Sequence, residues 1–299
     1  CRFKSGSGHQ LIYKVEEINI KNLFKILLNH KYKLVSASLL FGVVVLSASF
    51  LLNEKYTSKM ILKVEHSGDE LSSILGSQYG DLASLAGVSI GGGSEDLTAY
   101  AVALLQSNSF AERLMSIDGV KINLMAAKKY NFENQEIIID ASIYDKSNNE
   151  WVRNPPYKRS IIPSTLEIYE EVLKDDLKVS LDRRSGFIEV TFTHISPVFA
   201  RDFLNLILKQ ANELKRKNDY EEASKALYFL EENLKTTNQK ELRDSLTKLI
   251  ESQLQTLMLV DIREDYLLSA IEQPYLPEEE IFPPKILLTF IGLFLGFIS

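Results

Sequence analysis

The chain has a single cysteine, Cys1, which excludes an intrachain disulfide, a Cys₂His₂ or Cys₄ zinc site and a CxxC redox pair. It lacks a basic excess: 34 Lys and Arg stand against 40 Asp and Glu, a formal net charge of -6. A nucleic-acid partner normally needs a basic footprint, so none is expected. No GxxxxGK[ST] string occurs, which excludes a Walker phosphate cradle. The four histidines are scattered. From Val198 to Gln273 there is neither glycine nor proline, a run of 76 residues. With 45% apolar residues over 299 positions, a real core is available, and disorder as the main state is excluded.

Charge is absent in two further places. Leu34 to Leu52 (LVSASLLFGVVVLSASFLL) holds no charged residue over 19 positions, about 28 Å as a helix, close to the hydrocarbon thickness of a bilayer. A soluble core helix of that length keeps a polar face, and this stretch has only small serines, so it reads as transmembrane helix 1. A cleaved signal peptide fits less well, because a 33-residue leader is long and no small-x-small site precedes a plausible mature start. Ile286 to Ser299 is uncharged for 14 residues, about 21 Å and too short to cross, and reads as the start of a second span continuing past Ser299. Cys1 reads as the start of a trimmed chain rather than an acylated lipoprotein cysteine.

The remaining charge is divided by these stretches. Residues 1–33 hold seven of the basic and two of the acidic residues, leaving 27 basic and 38 acidic for 53–285. By the retention of Lys and Arg on the cytoplasmic side, 1–33 and both termini are expected inside and 53–285 outside. Ile20, Leu23, Phe24, Leu27 and Leu28 follow helical spacing and predict an amphipathic helix in the inner headgroup layer.

In the external region, alternation predicts a strand over Tyr56–Glu65. Seven of the 14 glycines lie in 68–93, which reads as short helical turns in a flexible loop. Helical spacing returns from Asp96 to about Asp118, with Ser109 and Glu112 as a capping-box pair, and Ser164 with Glu167 repeats that signature. Leu177–Leu181, a turn at Arg183–Gly186 and Ile188–Phe192 predict a β-hairpin. Ser196 and Pro197 are an N-cap and N1 proline, the start of a helix expected to run over about 197–260, roughly 96 Å. Glu221/Lys225, Glu231/Lys235 and Asp244/Lys248 support it as a solvated helix. A helix this long cannot be buried inside 230 residues, so it is expected to protrude and to meet copies of itself. Asp265–Glu272 reads as a returning strand, and Pro274, Pro277, Pro283 and Pro284 stiffen the segment 274–284 before the second span. Gly292 and Gly296 form GxxxG, a spacing for close packing of transmembrane helices.

The order of these elements resembles the Wzz-type chain-length determinants, or polysaccharide co-polymerases. The residues that carry the resemblance are EEINIKNLFKILLNHKYKLV, YTSKMILKV, SGFIEVTFTHISPVFARDFLNLILKQANE, the long polar helix, and AIEQPYLPEEEIFPPK. Between residues 66 and 165 the likeness is confined to DLTAYAVALLQSNSF, and Ser196 stands where the family pattern has Asp, with N-cap chemistry intact. The resemblance implies an α+β membrane protein of the bacterial inner membrane, with two transmembrane helices flanking a periplasmic α/β base and a very long protruding helix. It implies a homo-oligomer that sets the modal length of O-antigen or a related polysaccharide, with a Wzy-type polymerase, lipid-linked polysaccharide and the lipid bilayer as partners.

Catalytic signals are weak. Gly87-Val88-Ser89-Ile90-Gly91 matches G-x-S-x-G, but a nucleophile elbow needs a strand before and a helix after the serine, and the only downstream histidine is His194. His66 near Asp69 and Glu70 reads as a solvated turn before a cation site, and Glu278–Glu280 as an exposed acidic run. No catalytic residue, cofactor or metal is expected. The alternative functions are the membrane activator of a capsule-export tyrosine autokinase, which would need a Walker motif after the second span, and a two-span periplasmic sensor.

Overall fold

The structure, a computed structural model, describes residues 31–65 and 94–298. The amphipathic segment around Ile20, the glycine-rich loop, Ser89, His66 with Asp69 and Glu70, and Cys1 lie outside the described residues. The chain divides into two compact units, 1–52 with 283–299, and 53–282.

The first unit contains helix α1 (Lys31–Ser49) and helix α9 (Lys285–Ile298), which pack against each other. Among the described residues no helix is long and apolar enough to cross a membrane. The helix expected over 34–52 stops at Ser49: Leu51 and Leu52 donate their N–H groups to Ala48 O (3.1 Å) and Ser49 O (3.4 Å) in a turn. The chain has to become extended here, because strand pairing begins three residues later, at Lys55.

The second unit is built on a four-stranded antiparallel sheet in the order β6-β7-β1-β8, with β1 Tyr56–Val64, β6 Leu177–Leu181, β7 Ile188–His194 and β8 Leu268–Glu272. Side chains alternate across a strand. Tyr56, Ser58, Met60, Leu62 and Val64 of β1 and Ile188, Val190, Phe192 and His194 of β7 are buried on one face. The other face is polar, with the Thr57 and Thr193 hydroxyls 2.6 Å apart and Lys59 Nζ 2.8 Å from Glu189 Oε2. Helices α2 (Ser94–Leu105), α3 (Asn108–Met115) and α7 (Pro197–Thr236) cover the apolar face, contributing Leu105, Phe110, Leu114, Phe203, Leu204 and Ile207 to one core.

Between α3 and β6 lie α4 (Val120–Met125), the hairpin β2 (Ala127–Asn131) and β3 (Glu136–Ile139), and a second short hairpin of β4 (Tyr144–Asp145) and β5 (Glu150–Trp151). Helix α5 (Thr165–Ile168), a π-helical turn at Tyr169–Leu173 and helix α6 (Lys174–Asp176) follow. The α3 cap differs from the sequence expectation. Ser107, two residues before Ser109, accepts from Phe110 N at 3.1 Å, because the preceding helix α2 ends at Leu105 and leaves Ser107 extended. Ser164 caps α5 by accepting from Glu167 N, while the Glu167 carboxylate binds Arg153 instead of closing a capping box.

The helix expected over about 197–260 is two helices. α7 is 40 residues, about 60 Å, and α8 (Lys240–Ile262) is 23 residues, about 34 Å. They form an antiparallel hairpin: Leu230 packs with Leu246, Leu249 and Ile250, and at the root Arg216 Nη2 donates to Arg263 O and Glu264 O at 2.7 Å each. The break falls at Thr237–Gln239, where Thr237 and Gln239 are extended. No glycine or proline is needed. The Thr236 and Thr237 hydroxyls both donate to Asn233 O, and Arg243 Nη1 donates to Leu234 O and Thr237 O, so the exposed terminal carbonyls are satisfied while the chain turns. Of the expected ion pairs, Lys225 reaches Glu221 at 4.0 Å, whereas Lys235 bonds Glu232 at 2.7 Å in place of Glu231.

The seam between α7 and α8 has few buried apolar contacts compared with the sheet core. Leu230→Ala should therefore destabilise the helical hairpin by about 2 kcal/mol. Hydrogen exchange should rise over 223–260 with β1 and β7 still protected; equal loss in the sheet would show that arm and sheet open as one unit.

Candidate functional site

The sequence-derived candidates fall into three places. In the first unit, Gly292 and Gly296 of α9 face α1 at very short range. A Cβ on Gly292 would lie 2.9 Å from Val45 Cβ and 3.2 Å from Phe41 O, and one on Gly296 would lie 2.6 Å from Ser38 Cα and 2.8 Å from Ala37 O. Gly42 of α1 has the same character, with Leu293 Cδ2 at 2.8 Å, and Ser38 Oγ donates to Leu293 O at 2.6 Å. Small residues thus let two backbones approach, as GxxxG packing requires. Gly42 and Ser38 complete the contact from α1. Their spacing, Ser38-x-x-x-Gly42, was the available signal in the sequence. Val35, Leu39, Val43, Phe290 and Phe294 point outward and are exposed.

The second place is the root of α7. Ser196 Oγ accepts from Phe199 N at 3.1 Å, and Pro197 occupies the first turn, where no N–H partner is required. His194 is buried beside Phe192 and Phe199. Its Nδ1 accepts from Ser196 N at 3.1 Å, so Nε2 carries the proton and donates to Asn123 O at 2.9 Å. Both ring nitrogens are committed to backbone, tying β7, α4 and the start of α7 together, and neither is available as a general base. Burial pushes the His194 pKa down to about 4.

The third is the proline-bearing segment after β8. Pro274 and Pro277 are buried, Ser58 Oγ donates to Tyr275 O at 2.7 Å, and Lys55 pairs with Phe282. Pro283 is buried and Pro284 exposed at the start of α9, where Leu288 N donates to Pro284 O at 3.0 Å. These residues shape the path of the chain.

Two buried polar arrangements had no signal beyond ordinary residue types. Asn212 of α7 accepts from Leu267 N and Leu268 N and donates to Leu268 O, each at 2.8 Å, fixing where β8 begins. Arg153 and Glu167 form a buried bidentate pair, and Arg153 also donates to Ser160 O and Ile161 O at 2.7 Å. The hydrogen bonds from Arg153 hold the Glu167 carboxyl below its ordinary range. Both arrangements are internally satisfied and present nothing to a substrate. Among the described residues no group of three His, Cys, Asp or Glu is arranged to hold a metal ion.

The class defined by these features is an α+β protein with a helical arm on a sheet base and a glycine-packed helix pair. Residues 16–117 match the family model described as chain length determinant protein, Wzz. No curated protein sequence matches the chain. Among solved structures, a full-length bacterial polysaccharide co-polymerase is similar at 11% identity and a TM-score of 0.45, with 94% of each chain covered. A fragment of WzzB, a polysaccharide co-polymerase from Salmonella Typhimurium, is similar at 13% identity and a TM-score of 0.36, covering 77% of this chain and all of that one.

The environment of His194 sets a pH dependence. Its folded pKa lies below the ordinary 6.5, so the unfolded chain binds the extra proton between the two values. The contribution is present in full above pH 6.5 and is lost as pH falls toward 4, about 3 kcal/mol in total. Denaturant titrations from pH 7 to pH 4 should show wild type losing more stability than His194→Gln by about that amount; parallel curves would mean that the ring is not held neutral by the fold.

Proposed function

We propose that the chain is a non-enzymatic, oligomeric regulator of polysaccharide chain length that sets the modal length of O-antigen or a related surface glycan by acting with a Wzy-type polymerase on lipid-linked polysaccharide. The family match over 16–117 is the observation that carries this reading. The first unit supports a place in a membrane: its helix pair has Gly42, Gly292 and Gly296 inside and large apolar side chains outside, the reverse of a water-soluble pair. On this reading the uncharged stretches around α1 and α9 are two spans of the inner membrane, 1–33 and both termini are cytoplasmic, and 53–285 is periplasmic.

The helical arm supports the oligomer. Tyr228, Phe229, Met258 and Ile262 lie exposed on α7 and α8, outside the seam of the hairpin. A scaffold of this kind leaves bond formation to the polymerase, so the arm and the helix pair matter and isolated polar side chains do not.

Three outcomes follow for cells assayed by a gel ladder of surface polysaccharide at matched expression. Leu227→Pro, inside α7, removes a backbone hydrogen bond at a cost of about 3 kcal/mol or more and should change or abolish the modal length with total polymer maintained. Ser89→Ala should leave the ladder unchanged. Gly292→Leu with Gly296→Leu, which drives side chains into Ser38 and Val45, should alter glycan length and oligomer mass in mild detergent while 53–282 stays folded. Loss of all polymer in Ser89→Ala, with a normal ladder for Leu227→Pro, would replace the scaffold with an enzyme.

A further inference from the structure

We propose that the β2–β3 hairpin, with Phe132 at its turn, rests in the interfacial layer of the lipid bilayer and anchors the sheet base to the membrane surface. The inference rests on the reading of the two uncharged stretches as spans. It begins with where the chain enters and leaves the second unit. Lys55 N donates to Phe282 O at 3.0 Å and Ile281 N donates to Lys55 O at 2.9 Å, so both connections to the uncharged stretches leave the unit side by side.

The β2–β3 hairpin is fastened to that same end. Asn53 Nδ2 donates to Lys128 O at 2.9 Å, and the Phe132 ring meets Tyr56, the first residue of β1, edge-on at 5.8 Å, with Tyr130 at 4.9 Å. Phe132 is nonetheless 57% exposed, Ile281 61% and Phe282 42%. Three large apolar side chains therefore remain open to solvent at the place where the chain passes to its most apolar segments. Aromatic side chains are enriched at the headgroup level, where an apolar ring is partly withdrawn from water.

The charge of the hairpin selects the mode of contact. Lys128 and Lys129 are balanced by Glu133 and Glu136, and Glu54 and Glu278–Glu280 lie on the neighbouring segments. A surface without a basic excess has no electrostatic pull toward anionic lipid. Insertion of Phe132, Ile281 and Phe282 is then an apolar contact, indifferent to headgroup charge. The effect is to limit rocking of the sheet, and thus of α7, whose first turn is tied through His194 to the strand that pairs with Tyr56.

The test uses the full chain in phosphatidylcholine vesicles with acyl chains brominated either near the headgroup, which quench tryptophan at that depth, or near the chain ends, which quench it at the bilayer centre. Trp151→Phe removes the one native tryptophan, and single probes are placed by Phe132→Trp, Phe282→Trp, Phe41→Trp in α1 and Phe229→Trp. Phe229 lies 32 residues along α7 from Pro197, about 48 Å. The expected result is loss of about half the emission for the probes at 132 and 282 with the headgroup-depth bromines and for the probe at 41 with the chain-end bromines, none at 229 with either, and no change when phosphatidylglycerol is added. Quenching at 41 without quenching at 132 overturns the anchor and leaves the spans standing. Absence of quenching at 41 overturns both. Quenching at 132 that requires phosphatidylglycerol overturns the apolar basis of the contact. If Phe132→Trp does not fold, Asn134→Cys in a Cys1→Ser background, labelled with bimane on the same turn, reads the same depth with the same outcomes.

Discussion

Strand β1 is the constraint from which the second unit is built. It follows directly on the uncharged N-terminal stretch, yet its partners are β7, more than 120 residues later in sequence, and β8, more than 200 residues later. Neither edge of β1 can be satisfied locally, so its backbone groups are paired only when the whole intervening chain has folded. Its register decides the rest. With Met60 and Leu62 inward, Lys59 and Lys63 must face out, and a slip by one residue would bury both lysines. Helix α7 can then lie on one face only, and the segment with Pro274 and Pro277 follows β8 along the edge of β1 to Lys55.

That geometry brings both ends of the unit together and directs the helical arm away from them. Pro197 starts α7 at the end of β7 that pairs with Tyr56, and the helix runs along the sheet before its second half leaves the core to pair with α8. Buried polar groups hold this root: His194 bonds backbone on either side, and Asn212 meets three backbone groups at the start of β8. Each is costly to break because a lone buried donor or acceptor has no water to turn to. The arm itself is held by fewer apolar contacts, so rigidity falls from sheet to tip. The proposed scaffold role, in which the direction of the arm matters, requires such a firm root.

The helix pair of the first unit obeys different packing logic. Its contact is made by removing side chains, with glycine and serine on the seam, and its outer surface is apolar. A GxxxG signal reads from the sequence because glycine spacing alone determines whether backbones approach. Which residues answer it on α1 depends on the rotation of that helix about its axis, and among the small residues of α1 the packed pair singles out Ser38 and Gly42.

How much of the protein was legible in its sequence follows from the range of each interaction. Short-range physics decided the strands at 56, 177, 188 and 268, the Ser196 cap with Pro197, and the uncharged stretches, because alternation, capping and charge act within a few residues. The stretches within 16–117 that carry the resemblance were legible for the same reason: each is contiguous. Tertiary contact decided what the sequence left open. The run without glycine or proline reads as one helix, yet Leu230 gains a partner in Leu249 only if the chain turns at Thr237, and helix propensity counts for less than burial at that point. The small hairpins over 127–151 have strands of two to five residues, too short for periodicity to mark. The pairing of Arg153 with Glu167, and of Asn212 with the backbone of β8, joins residues that no local pattern connects, since the desolvation that makes those bonds strong exists only inside the folded base.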